Sequence, residues 1–324
     1  MDKEYTLVTG ATGFIGSHVV ERLLSEGRHG VIAIVRNVRE HKNIMSLRDA
    51  GAVIVEGSFY DKTILEEMFR KFAIRNVIHT AALRGAGCGK KEDYLAVNVH
   101  GTEVLLEEAL KNHVARFIFC SSVGVYGTVP DELPAMVTTA LKGDNDYHSS
   151  KIMSERKVQE FIDKGLNAFI VRPTITYGKR HSGFPSTLVK LVRRRMLVLP
   201  LRDTKIHLLH VDSLVEVFVR ILNIENIPSR IFIVADESAV SLRELVDAIY
   251  YSFYKTKYPS FLRLPNCVFQ LAAMFLRLIN EKKWAVRILL ISRSWYYDVS
   301  TTIGELRFRP ADTMKCVRAI VNEA

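Results

Sequence analysis

The chain has 324 residues, 48% hydrophobic and 25% charged, which excludes a disordered or fibrous chain and is enough for one large or two fused globular units. The formal net charge is +10, but the basic residues are scattered, so nucleic acid is not an expected partner. Their one dense cluster, Arg193-Arg194-Arg195, lies in a helix-like run and reads first as a solvated face, with an anionic group or a membrane surface as the sharper alternative.

The first elements organise the rest. Leu7 and Val8 lie in an apolar run, followed by Gly10-x-x-Gly13-x-x-Gly16, then an amphipathic run (Phe14, Ile15, Val19, Val20, Leu23, Leu24) and a second apolar run from Val31 to Val35. That order is strand, tight turn, helix, strand, the context in which spaced glycines carry meaning. Gly10 allows the sharp exit from the strand, Gly13 lets a pyrophosphate approach the backbone, and Gly16 lets the helix lie close on the sheet. An anion then sits at the helix N-terminus, where unpaired N–H groups and the dipole favour it. Thr12, Phe14 and Ile15 complete the expected dinucleotide cradle with the glycines. Arg36 ends the second strand about 20 residues past the last glycine, where an Asp or Glu would accept from an NAD ribose. A guanidinium cannot accept, but it pairs with a 2′-phosphate, so NADP(H) is the expected carrier and NAD(H) the alternative, with Arg39 and Lys42 as helpers.

The alternation continues with a strand over Ala52 to Glu56, a helix over Ile64 to Phe72, a strand over Asn76 to Thr80 and a helix over Tyr94 to Lys111. A strand over Arg116 to Cys120, a helix over Ser149 to Asp163 and a strand over Ala168 to Val171 follow. The expected fold is α/β, a Rossmann-type doubly wound parallel sheet in residues 1–173, with ligands at the carboxyl ends of the strands. From 174 to 324 the pattern becomes a smaller, mainly helical substrate lobe, whose strands could return to the first domain. Its helices are expected over Leu214 to Leu222, Leu242 to Phe253, Cys267 to Ile279, Trp284 to Ile291 and after Pro310, with one strand over Ile231 to Val234.

Cys88, Cys120, Cys267 and Cys316 are far apart and lack metal-ligand spacing, so they read as reduced thiols of a cytoplasmic protein. No signal peptide is expected at the charged N-terminus. The run Cys267 to Ile279 is shorter than the roughly 20 residues a span requires, which leaves only peripheral membrane contact open there.

Three residues carry the chemistry. Ser121 and Ser122 follow the fifth strand, and Tyr147 and Lys151 stand four apart at the start of a helix, on one face. The Lys151 ammonium is expected to favour phenolate and lower the Tyr147 pKa, while Ser122 holds the substrate oxygen beside the phenol. Tyr251 and Lys255 repeat the spacing, but no serine-bearing strand precedes them, and packing is their expected role.

With these residues the chain resembles the extended short-chain dehydrogenase/reductases, which include NAD-dependent epimerase/dehydratases, dihydroflavonol reductase-like enzymes and 3β-hydroxysteroid dehydrogenases. The resemblance rests on TGATGFIG (Thr9 to Gly16), HTAA (His79 to Ala82), NVHGT (Asn98 to Thr102), SSVGVYG (Ser121 to Gly127), YHSSK (Tyr147 to Lys151), RPTITYG (Arg172 to Gly178) and HVDSL (His210 to Leu214). It implies a catalytic triad of Ser122, Tyr147 and Lys151. It also implies that Tyr147 and Lys151 meet the cofactor, that Ala81 and Ala82 line it, and that Pro173 stands near the nicotinamide. Asn98 is implied to buttress the strands, and a homodimer through two helices of the cofactor domain is common in the family.

Departures qualify the inheritance. Ser58 stands where an acid often meets adenine, with Phe59 beside it as a further expected cofactor contact and Asp61 farther on. Thr174 replaces a frequent Asn, and Lys205-Ile206-His207-Leu208-Leu209 lacks the Arg that grips a nucleotide-sugar diphosphate. Thr174 and the apolar tail lean toward the reductase and steroid branch. The expected activity is hydride transfer between the nicotinamide and a bulky secondary alcohol or ketone, with Leu83, Ser122, Thr174 and Tyr177 facing this small-molecule substrate. A nucleotide-sugar epimerase or dehydratase with retained cofactor is the alternative, and a non-catalytic cofactor sensor a third reading. No role is assigned to His148.

Overall fold

Strand β1 (Glu4–Thr9) buries Leu7 and Val8 completely and passes through the glycine turn into helix α1 (Phe14–Glu26). The structure, a computed structural model, describes residues 3–27, 29–38, 44–84, 89–180, 183–279 and 281–322; Arg39, Lys42 and Cys88 lie outside them. Gly27 adopts φ 66° and turns the chain off the end of α1, its N–H bonded to the carbonyls of Leu23 and Leu24. All six residues of β2 (Gly30–Val35) are buried, as a strand covered on both faces requires. Next come α2 (Ile44–Asp49), β3 (Val53–Glu56), α3 (Lys62–Lys71) and β4 (Ala73–His79).

The helix expected over 94–111 is three pieces: α4 (Lys91–Tyr94), a π-helical stretch over Leu95–His100, and α5 (Gly101–Lys111). Strand β5 (Arg116–Cys120) precedes α6 (Asp146–Asp163), which begins three residues before the expected start. The Asn145 side chain caps it by accepting from the N–H of His148, a start signal that the apolar pattern does not carry. Strand β6 (Ala168–Pro173) follows, then β7 (Ile175–Tyr177), α7 (Phe184–Arg193), β8 (Leu199–Pro200), β9 (Lys205–Ile206), β10 (Leu208–His210), α8 (Val211–Asn223) and β11 (Ile231–Val234).

The main sheet has seven strands in the order β11-β6-β5-β4-β1-β2-β3, and the pairings among its first six strands are parallel. Strand order reverses on either side of β1, so the crevice beyond its carboxyl end is the place where a doubly wound sheet takes a ligand. Leu7, Ile32, Leu105, Phe117 and Phe161 belong to one buried cluster from the strands and the helices on them.

Two compact units divide the chain: 1–125 with 145–172 and 215–232, and 126–144 with 173–214 and 233–324. One crossing falls after Arg172, one residue before the expected division, while 126–144 groups with the second unit and 215–232, which leads into β11 at the edge of β6, groups with the first. In the second unit, β7 pairs with β10, β9 with β12 (Val240–Ser241) and β8 with β13 (Arg263–Leu264). Its helices include α9 (Leu242–Tyr254) and a hairpin of α10 (Asn266–Leu278) and α11 (Lys282–Ser292). Among the described residues no helix is long and apolar enough to cross a membrane, and no three His, Cys, Asp or Glu side chains gather as metal ligands.

Candidate active site

The glycine turn shows why two of its positions exclude a side chain. Gly10 has φ 67°, and a Cβ there would stand 2.8 Å from the backbone nitrogen of Ala81. At Gly16 a Cβ would come within 2.1 Å of the Gly10 carbonyl oxygen, so the close approach is to the turn itself as well as to the sheet. Gly13 N–H closes the turn on Gly10 O at 2.9 Å, and α1 begins after it with no side-chain cap. Helix α1 presents its N-terminal turn to the glycine loop, where the helix dipole is positive, while Thr12 stands half-buried before it. This is a fitting seat for a pyrophosphate.

A chain of directed hydrogen bonds fixes the neighbouring strand ends. Thr102 Oγ1 donates to Asn98 O at 2.6 Å, so it accepts from His79 Nε2 at 3.0 Å, and His79 Nδ1 then accepts from Thr9 Oγ1 at 2.6 Å. Burial first, and the Lys151 charge second, hold His79 well below the ordinary histidine range, so it is a neutral strut between β1 and α5. Ala81 N–H donates to Thr9 Oγ1 at 3.2 Å, which sets Ala81 and half-buried Ala82 beside the glycine turn.

Asn98 sits in the π-helical stretch, and both ends of its amide hold Leu83. Oδ1 accepts from Leu83 N at 2.8 Å, and Nδ2 donates to Leu83 O at 2.9 Å and to Ser150 Oγ at 2.9 Å. The side chain therefore braces the loop after β4 against α6, where the resemblance implied a buttress of the strands. The wide turn that places it had no counterpart in the helical spacing.

Ser122 lies near enough to Tyr147 for its hydroxyl to favour the phenolate, against the larger effect of burial. Gly124 N–H donates to Ser122 Oγ at 3.0 Å, which leaves the serine proton for the phenol oxygen or for a substrate oxygen. Lys151 is buried, donates from Nζ to Cys120 O at 2.8 Å and lies 4.4 Å over the Phe119 ring. The expected lowering of the Tyr147 pKa is not found in this arrangement. Burial pushes the phenol up to about 12 and the Lys151 ammonium down to about 8, and it outweighs the opposing charges of Arg84 on the phenol and Glu155 on the ammonium. Burial also pushes the Cys120 thiol up to about 11, so it remains protonated near neutral pH.

His148 has more to do than the sequence suggested. Asn145 Nδ2 donates to His148 Nδ1 at 2.8 Å, and the ring lies so close on Gly124 that a Cβ there would meet it at 2.4 Å. It thereby clamps the loop that follows Ser122. A buried ion pair lies one helical turn beyond Lys151: Arg172 Nη2 donates to Glu155 Oε2 at 2.6 Å, and Ser121 Oγ donates to Glu155 Oε1.

Arg36 is exposed at the end of β2, and on β3 Glu56 pairs in register with Val35 and accepts from Val38 N at 3.0 Å. Ser58 Oγ is buried without a partner in the structure, a polar atom open to a ligand such as an adenine amine. The Phe59 ring does not line a cofactor surface as expected: it is 6% exposed and packs 4.9 Å from the His79 ring, filling core. Asp61 is likewise engaged, as the cap of α3.

In the second unit, Pro173 is buried at the end of β6, and Thr174 is buried with Oγ1 unpartnered. Tyr177 does not face a substrate as expected: it is fully buried, and its hydroxyl donates to Asp236 Oδ2 at 2.7 Å, beside Thr313. His207 is also internal, held by Asp236 O and Tyr297 N, and burial lowers its pKa.

Fold and site together define a dinucleotide-binding protein of the extended short-chain dehydrogenase/reductase class. The chain belongs to the NAD dependent epimerase/dehydratase family, whose profile matches residues 6–235. It is 37% identical to the UDP-glucose 4-epimerase of Erwinia amylovora over 161 residues, 48% of each chain. With the UDP-glucose 4-epimerase of Vibrio cholerae it shares 28% identity over 249 residues, 74% of this chain and 73% of the other. The chain thus spans about half the length of the first curated relatives it matches. Its fold superposes on the Thermotoga maritima UDP-glucose 4-epimerase with a TM-score of 0.77 at 22% identity, covering 98% of both chains. The Bacillus cereus UDP-glucuronic acid 4-epimerase, solved with NAD, gives a TM-score of 0.76 at 18% identity, covering 98% of this chain and 97% of that one. These relatives carry epimerase names and lend no specific support to the reductase and steroid branch.

Proposed function

We propose that this chain exchanges hydride at a secondary alcohol carbon of a nucleotide sugar, with Tyr147 as the proton-transfer group, Ser122 as the holder of the reacting oxygen and Lys151 as the cation beside them. The gathering of Ser122, Tyr147 and Lys151 where α6 starts beside the end of β5, with Lys151 Nζ on Cys120 O, carries this reading. When bound, a nicotinamide dinucleotide supplies the hydride acceptor and donor. The residues present suit it: the α1 N-terminus for the pyrophosphate, Ser58 for adenine, Ala81 and Ala82 for the wall, and Lys151 for the ribose, since its ammonium has donors beyond the one given to Cys120. Tyr147 takes the alcohol proton as the carbon is oxidised and returns it on reduction. For this its phenol must fall from about 12 toward working pH, the direction in which the Arg84 charge already pulls it and in which the Lys151 ammonium would act if brought against the phenol.

The names of the relatives put epimerisation with retained cofactor ahead of open dehydrogenation. The 205–209 segment favours the second reading, an open NADP(H)-linked reductase of a bulky ketone, because it offers no guanidinium fork to a diphosphate: His207, Leu208 and Leu209 are all buried. Incubation with UDP-glucose or UDP-galactose, followed by proton NMR, separates the two. Interconversion without net change in cofactor absorbance is expected. Consumption of added NADPH with a ketone and no sugar interconversion would replace epimerisation by reduction, and neither reaction would defeat both. The exposed Arg36 supports NADP(H) over the NAD(H) named with several structural neighbours.

A further inference from the structure

Helix α10 is apolar on nearly every side. Its inner positions Phe269 and Ala273 are buried, yet Leu271, Phe275 and Leu278, one turn apart on another face, are 64%, 60% and 76% exposed. Met274 and Ile279 widen the stripe, and Phe261 before the helix is 82% exposed. A water-facing helix normally turns charged residues outward, and one that is hydrophobic all round needs an apolar medium on its second side. Trp284, at the start of the partner helix α11, is 46% exposed and stacks under the Arg287 guanidinium at 4.8 Å, an aromatic placed for a polar–apolar boundary.

The charge of the sequence that carries this helix pair names its partner. Between residues 255 and 293 the sequence has eight Lys or Arg and a single acid, Glu281. Two copies meeting through this patch would bring like charges together, whereas an anionic lipid surface offers the opposite charge to the cations and acyl chains to the leucines. Behind the hairpin a cavity of about 270 Å³, lined by Leu188, Leu191, Phe269 and Trp284 among others, gives the end of an acyl chain room to enter.

We propose that the α10–α11 hairpin docks on anionic phospholipid bilayers as an interfacial, non-spanning anchor. The test is sedimentation of the full chain with phosphatidylcholine vesicles containing or lacking phosphatidylglycerol. Pelleting that requires the anionic lipid and weakens with salt is expected, and the double substitution Leu271→Glu with Phe275→Glu should reduce it by roughly tenfold or more. Arg277→Glu, which leaves the apolar face intact, should weaken it in the same direction, and a wild-type-like circular dichroism melt shows that each variant is folded. Absence of pelleting by the wild type, or equal pelleting by the folded double variant, would overturn the proposal. So would a dimer in gel filtration that the double variant splits, since a second copy would then cover the face.

Discussion

Lys151 Nζ and the carbonyl oxygen of Cys120 are 2.8 Å apart, a bond that ties the first turns of α6 to the end of β5 and takes the ammonium out of water. The same tie that positions the cation for catalysis makes its charge costly. The folded-state pKa of about 8 lies below the ordinary 10.5, so between those values the unfolded chain keeps a proton that the folded chain has released. By linkage, this residue's contribution to stability rises with pH across that window and its cost is fully present below it. The interval corresponds to about 3 kcal/mol. Lys151→Met removes the dependence, so its stability relative to wild type should be greatest near neutral pH and should decline through that window, as read by urea melts at several pH values.

Tyr147→Phe removes the phenolic proton and leaves the ring. Turnover should fall by roughly a hundredfold to ten-thousandfold, while cofactor affinity by fluorescence titration changes little. A variant with wild-type turnover would remove Tyr147 from the chemistry.

Arg36→Asp replaces a donor to phosphate with an acceptor for ribose hydroxyls. The ratio of NADPH to NADH dissociation constants should reverse in favour of NADH. An unchanged ratio would show that the exposed guanidinium does not touch the carrier.

Glu155→Ala leaves the Arg172 charge buried without its carboxylate and deprives Ser121 of an acceptor. A loss of about 3–5 kcal/mol is expected from chemical denaturation, because breaking a buried pair leaves an uncompensated charge. Replacing Glu155 and Arg172 together by Met should recover much of that loss.

The regular parts of this fold were legible because they repeat. Fully buried parallel strands read as apolar runs, and the glycine spacing and the Tyr147–Lys151 interval depend on neighbours in sequence. What escaped depends on neighbours in space. Asn98 bracing Leu83, His148 seated on Gly124 and the inward turn of Tyr177 toward Asp236 join residues between 15 and 59 positions apart, or rest on a backbone that only the folded chain brings near. The Tyr147 pKa failed for the same reason: helical spacing gives the direction of the lysine but says nothing of how much water the phenol loses.

Edge strand β11 is supplied from beyond residue 230, after a long excursion through the second unit. Until that segment leaves the ribosome, β6 has an open row of N–H and C=O groups, among them the Ile170 N–H that finally donates to Arg230 O. A nascent or truncated chain ending near 173 is therefore an unfinished sheet inclined to recruit strands from other molecules, and fragments meant to carry the dinucleotide site alone need residues 215–234, which include all of β11, grafted back.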